Sequence, residues 1–339
     1  MPITEKGRVA MTTKLDATAA VSNPWELATL LINGKKVERG AKPVLLRGQE
    51  NEVTVENPPE LVMTIRLGLP ANGGLNIDAS PDFKDWVTPN NGKFTWIIAP
   101  EADDSGLITL VFYSREVDPV WEHRSLVISS NLADEAEALI GGELVPPEGV
   151  IFTAGEPQVV TLRLKNDSPL EGYPVKLKGA VVEGDLTLES QPDFDGFETK
   201  HSWTVTVKSG TGSFRLSFAG ESMAQDLVLP DCRLIAVLRW TWTFGTPMPV
   251  PPESIDRSIN LPINLFVTLL DSRGEPMVGI PVTFHIPEHG SNTNITDLKG
   301  STYPLWTQIY YTPGMREFRA EVELPGSKLS ASLLVNVVK

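Results

Sequence analysis

Cysteine is nearly absent from this chain. Cys232 stands alone among 339 residues, so no disulfide within the chain is possible and any core rests on packing. Long apolar runs are missing as well. No window reaches the roughly 18 apolar residues that a helix needs to cross a bilayer. The most apolar stretch, RLIAVLRWTWTF at 233–244, is short, carries two arginines and reads as a buried strand. The first residues, MPITEKGRVAMTTKLDATAAV, hold no unbroken apolar segment of the kind a secretory signal has. Basic residues are few beside acidic ones: 29 Lys and Arg against 43 Asp and Glu leave a net charge of −14. With no Lys/Arg-rich run, such a surface repels a polyphosphate backbone, which excludes nucleic acid as an expected partner.

Motifs that carry chemistry are lacking too. There is no G-x-S-x-G elbow, Walker loop, Rossmann glycine fingerprint, H-E-x-x-H or C-x-x-C. Of the four histidines, His123, His201, His285 and His289, the last two have i, i+4 spacing that would suit zinc on a helix. Pro287 between them and the strand pattern before them break that geometry. Cys232, in LPDCRL, has no histidine near it in sequence and reads as a small buried apolar residue. PDFDGFE at 192–198 and EADD at 101–104 lack the ligand order of a calcium loop and read as solvated turns. The expectation is a protein without catalytic residues, cofactor or metal.

What is present is a globular composition, 41% hydrophobic and 21% charged, with 27 glycines and 28 prolines for many short turns. The length suits two or three domains, and internal repeats favour three. LINGKKV at 31–37 is echoed by LIGGELV at 139–145, SPDF at 80–83 by QPDF at 191–194, and SGLITLVF at 105–112 by TGSFRLSF at 211–218. PLEGYPVKL at 169–177 is echoed in turn by PMVGIPVTF at 276–284. The period of about 107 residues is that of one self-sufficient sandwich.

Within each copy the periodicity is two. VTLRLKN at 160–166, SWTVTVK at 202–208, FRLSFAG at 214–220 and FRAEVEL at 318–324 alternate apolar with polar residues. Only PWELATLLI at 24–32 and DEAEALI at 134–140 look briefly helical. The predicted fold is all-β, three tandem immunoglobulin-like β-sandwich domains at 30–135, 136–232 and 233–339 after an N-terminal segment 1–29. Candidate junctions are 131–142 and the proline-rich 243–254. One tryptophan per copy, Trp96, Trp203 and Trp306, sits among β-branched neighbours as a candidate core anchor.

The third copy, in NLFVTLLDSRGEPMVGIPVTFHI at 264–286 and YTPGMREFRAEVELPGSKLSASLLVNVV at 311–338, resembles the bacterial Ig-like domains of the invasin and intimin type. The residues that carry the likeness are Asp271, Gly274 and Pro276 of a D-x-x-G-x-P turn, then Gly279, Val282, Thr283 and Phe284, and finally Gly314, Phe318 and Ala320. The resemblance implies a non-enzymatic spacer or binding tip of an adhesin, placed at a cell surface or outside the cell, whose partner is a protein or glycan on another surface. The alternative is a leaderless secreted effector, toxin component or phage-tail-like appendage protein. In both readings the end loops make the contact, with 285–302 and the 70–92 region as candidates.

Overall fold

The structure is a computed structural model that describes residues 23–57, 63–116, 118–147, 149–166, 168–244, 246–249, 255–258, 262–308, 312–324 and 327–339. The chain falls into two compact units, Met1–Val127 and Ile128–Lys339.

The first unit holds β1 (Thr29–Ile32), β2 (Lys35–Lys36), β3 (Val44–Leu46), β4 (Asn51–Glu56), β5 (Ile65–Ala71), β6 (Ile77–Ser80), β7 (Trp86–Val87), β8 (Lys93–Pro100), β9 (Gly106–Ser114) and β10 (Trp121–Ile128). They form two five-stranded sheets, ordered β2-β1-β4-β8-β6 and β3-β10-β9-β5-β7. Alternation decides which side chains face inward. Val53 and Val55 of β4 and Phe94, Trp96 and Ile98 of β8 share one core with Ile65 and Leu67 of β5 and Leu110 and Phe112 of β9. PWELATLLI is helical only over the single 3-10 turn Pro24–Leu27, capped by the Asn23 side chain. Its second half becomes β1, because Leu30 and Ile32 alternate into the core.

The second unit opens with the one-turn helix α1 (Leu132–Glu135), followed by β11 (Ala136–Ile140), β12 (Glu143–Leu144), β13 (Val150–Thr153), β14 (Pro157–Leu164) and β15 (Val175–Gly184). Next come β16 (Thr187–Gln191), β17 (Phe197–Glu198), β18 (Ser202–Ser209), β19 (Gly212–Gly220), β20 (Leu227–Val228) and β21 (Cys232–Phe244). The helical reading of DEAEALI therefore also fails after its first two residues, again where an A-x-A-x-I alternation turns inward. The sheet β12-β11-β14-β18-β16 has the order of the first sheet of the first unit, and β17-β15-β19-β21 with β13 on β21 has the order of its second. SPDF and QPDF occupy the same place in both copies, each with a cis peptide before its proline.

The third copy comprises the second half of β21, then β22 (Thr246–Pro249), β23 (Ile255–Ser258), β24 (Pro262–Asp271), β25 (Pro281–Ile286), β26 (Gly290–Ile295), β27 (Leu305–Gln308), β28 (Gly314–Leu324) and β29 (Ser327–Val338). One face is β21-β24-β27 with β22 on β21, and the other is β23-β29-β28-β25-β26. Its wiring differs at one place. β26 pairs with β25, whereas β6 and β16 pair with the strand that carries the tryptophan.

The boundary expected at 232/233 falls inside β21. Cys232–Ile235 pair with β13 in the second sandwich, and Val237–Thr243 pair with β24 in the third. A register shift between Ile235 and Val237 re-aims the strand from one core to the other. Ile235 is already packed in the third core. Of the proline-rich segment 243–254, residues 245 and 250–254 lie outside the described residues.

Candidate binding surfaces

The D-x-x-G-x-P turn joins β24 to the strand that follows it. Asp271 is buried, and its Oδ1 accepts from the backbone N–H groups of Arg273 at 2.9 Å and Glu275 at 3.0 Å. Its Oδ2 accepts from Arg273 Nε at 3.1 Å. Gly274 sits at φ +83°, where a side chain would be strained, and Pro276 bridges back to Leu270. Gly279, at φ +78°, starts the next turn, and Val282 and Phe284 lie in the core with Phe318 and Ala320. Around the turn, Arg273 forms an ion pair with Glu183, Ser272 N–H donates to Leu234 O at 2.8 Å, and Gly212 N–H donates to Ser272 Oγ at 2.9 Å. This motif packs the third sandwich onto the paired strands β15 and β19 of the second.

The tryptophans of β8 and β18 are closed to solvent, Trp96 at 0% and Trp203 at 1% exposure. Each stands opposite a valine, Val53 and Val160, and each packs on a phenylalanine of the facing sheet, Phe112 at 5.9 Å and Phe218 at 5.4 Å between ring centroids. Trp306 occupies the matching register in β27, opposite Asn264; its side chain lies outside the described residues. A further tryptophan sits in the third core. Trp240 of β21 is buried against Phe284 and donates from Nε1 to Ala331 O at 3.0 Å.

The segment expected as one long loop at 285–302 is mostly a hairpin, β25–β26, and only the turn after it is free of strand. That turn is tightly built. Thr296 and Thr302 are buried at its two ends: Thr296 Oγ1 donates to Met277 O at 2.6 Å, and Thr302 Oγ1 accepts from Val267 N–H at 3.1 Å. Between them Asp297 Oδ1 accepts from the N–H groups of Lys299 at 2.8 Å and Ser301 at 2.9 Å. The Ser301 and Lys299 amides hold the Asp297 carboxyl below its usual value. Gly300 closes the turn at φ +68°, where a Cβ would come within 2.4 Å of Leu269 O. On this frame Leu298 is 84% exposed and Tyr303 74%, with Ile295 at 59% and Val278 at 45% beside the same turns.

A polar row crosses the outer face of β26, β25 and β28. Ser291 Oγ meets His285 Nδ1 at 2.8 Å, and His285 Nε2 meets Glu321 Oε2 at 2.7 Å. Glu321 also pairs with Lys328 and Arg319, and the Lys328 hydrogen bond is the main reason its carboxyl is held low. The two cations, Lys328 and Arg319, make this an ion-pair network on an open sheet, with His285 partly exposed and Ser291 exposed. Cys232 is buried, which pushes its thiol up to about 12 and leaves it a poor nucleophile. Among the described residues no three His, Cys, Asp or Glu side chains gather as a metal site, and no helix is long and apolar enough to cross a membrane.

No family model matches the chain, and no curated protein matches it. Among solved structures it is similar to the Escherichia coli adhesin FdeC, at 15% identity over 92% of this chain and 97% of that one, with a TM-score of 0.33. It is also similar to the D0-D1 domain of intimin, at 13% identity over 60% of this chain and 97% of that one, TM-score 0.24. An endo-fucoidan hydrolase of glycoside hydrolase family 107 is similar over 88% of this chain but 43% of its own length, at 13% identity and a TM-score of 0.27. Likenesses this distant decide nothing about what the chain binds or does. The fold rests on the strands themselves, which make tandem immunoglobulin-like β-sandwiches.

Proposed function

We propose that the chain is a non-enzymatic, adhesin-like binding protein in which three sandwiches form a scaffold and the turn at 295–303 of the third one contacts a protein or glycan on another surface. The observation that carries this reading is Leu298. An apolar side chain held in water by a turn with buried threonines at both ends, a capping carboxylate and a left-handed glycine gains nothing for folding, and it is the kind of residue a partner covers. Such a turn is also pre-organised, so little order is lost on binding. A surface or extracellular setting follows from the same reading. The test is a Leu298→Ser/Tyr303→Ser double variant, compared with the parent on arrays of glycans and of extracellular proteins. Circular dichroism and melting temperature should be unchanged while a parent signal is lost. A variant that keeps every parent signal overturns the proposal.

A further inference from the structure

Among the described residues, the outward face of the β7-β5-β9 sheet carries cations held by aromatic rings and by no carboxylate. Arg66 of β5 stands in register with Trp86 of β7 on one side and Tyr113 of β9 on the other. Its Cζ lies 5.2 Å from the Trp86 ring and 4.6 Å from the Tyr113 ring. Arg115, two residues beyond Tyr113 and just past the end of β9, places its Cζ 4.7 Å from the Trp86 ring. Tyr113 lies over the sheet at Gly68, where any Cβ would come within 2.7 Å of the ring. Ring faces attract a guanidinium but leave its N–H edges free. Among the described residues neither arginine has a carboxylate partner, in a chain with 43 acidic side chains to supply one, and Arg66 Nε is buried without an acceptor. The second sandwich repeats the arrangement in weaker form, with Lys176 Nζ 5.3 Å from the Phe197 ring, but there the cation is neutralised by Asp195.

We propose that the Arg66, Trp86, Tyr113 and Arg115 face binds an acidic polysaccharide, with the two guanidiniums taking carboxylates of successive sugar-acid residues. Charge selects the ligand: an isolated cationic pair on a molecule of net charge −14 is complementary to an anion. Shape selects its class. The edge strand β7 has two residues, Trp86–Val87, too few to offer a main-chain ladder to a peptide. The face instead presents side chains across three strands, with the diagonal neighbours Arg66 and Arg115 about 7–8 Å apart at Cα, which suits a linear polymer lying across them. This site is independent of the turn at 295–303.

The experiment is calorimetric titration of the full chain with polygalacturonate, and with poly-glutamate and neutral dextran as comparisons, at low and high salt. Polygalacturonate should bind at low salt and weaken at high salt, and dextran should not bind. Arg115→Gln, at an exposed position, should weaken binding by about tenfold or more, and Arg115→Lys by less. Leu298→Ser/Tyr303→Ser should bind polygalacturonate as the parent does. Absence of polygalacturonate binding, unchanged affinity in Arg115→Gln, or equal affinity for poly-glutamate each overturns the proposal; the last would mean a face that accepts any polyanion.

Discussion

Acid should weaken the first unit through His123. This ring, on β10, meets Trp121 edge-on at 4.6 Å and Phe112 at 6.2 Å, and its Nε2 is buried without a hydrogen-bond partner. Burial pushes its pKa down to about 4 from the ordinary 6.5. Above pH 6.5 the ring is neutral in both folded and unfolded chains, so the full stability is present. Between 6.5 and about 4 the unfolded chain binds a proton that the folded one refuses, and stability falls as the pH is lowered. Below about 4 both forms carry the proton and the loss levels off. At about 1.4 kcal/mol per pH unit the limit is about 3 kcal/mol, and water screening of a half-buried ring reduces this to about 1–2 kcal/mol. Urea unfolding of the full chain at pH 7 and pH 4.5, followed by tryptophan emission, should be compared with His123→Leu. Carboxylates titrate in both proteins, so the difference between the two pH dependences isolates the imidazole. Parallel dependences, or a histidine resonance that titrates near 6.5 in the folded protein, would refute the reasoning.

Two more outcomes follow from the second unit. Trp203→Ala should destabilise it by about 3–5 kcal/mol, read by calorimetry, because the ring is fully enclosed between Val160 and Phe218; unchanged stability with lost binding would reassign the ring to a ligand platform. A fragment 136–232 should unfold at lower urea than one extended to 236, since the shorter one lacks Leu234, which is buried, and most of the pairing between β13 and β21. Equal midpoints would show that the second sandwich ends at Cys232.

Much of this was legible in the sequence because strands announce themselves by a period of two. SWTVTVK and VTLRLKN alternate so strictly that inward residues could be read off, and the repeats placed Trp96 and Trp203 in equivalent strands. The misreadings have local causes. In PWELATLLI and DEAEALI, strong helix formers precede an alternating run, and tertiary burial of Leu30 and Ile140 wins over propensity after one turn. RLIAVLRWTWTF was recognisable as a strand, but a single strand serving two cores has no signature beyond its length. Trp240 was hidden in it for the same reason. The Arg66, Trp86 and Tyr113 stack joins residues 20 and 47 positions apart, and no local pattern encodes such a pairing. The echo of PDFKDW in PDFDGF was the available hint, since it aligns Trp86 with Phe197.

The strand shared by the second and third sandwiches changes how the chain would answer a pull. Sandwiches on a flexible tether swivel freely, and each yields by itself. Here tension passes along β21 from its ladder with β13 directly into its ladder with β24, loading both sets of hydrogen bonds in shear. The Arg273–Glu183 and Ser272–Gly212 contacts brace the same joint at the side. The pair should therefore behave as one stiff rod that extends at a single higher force, with no hinge between its halves.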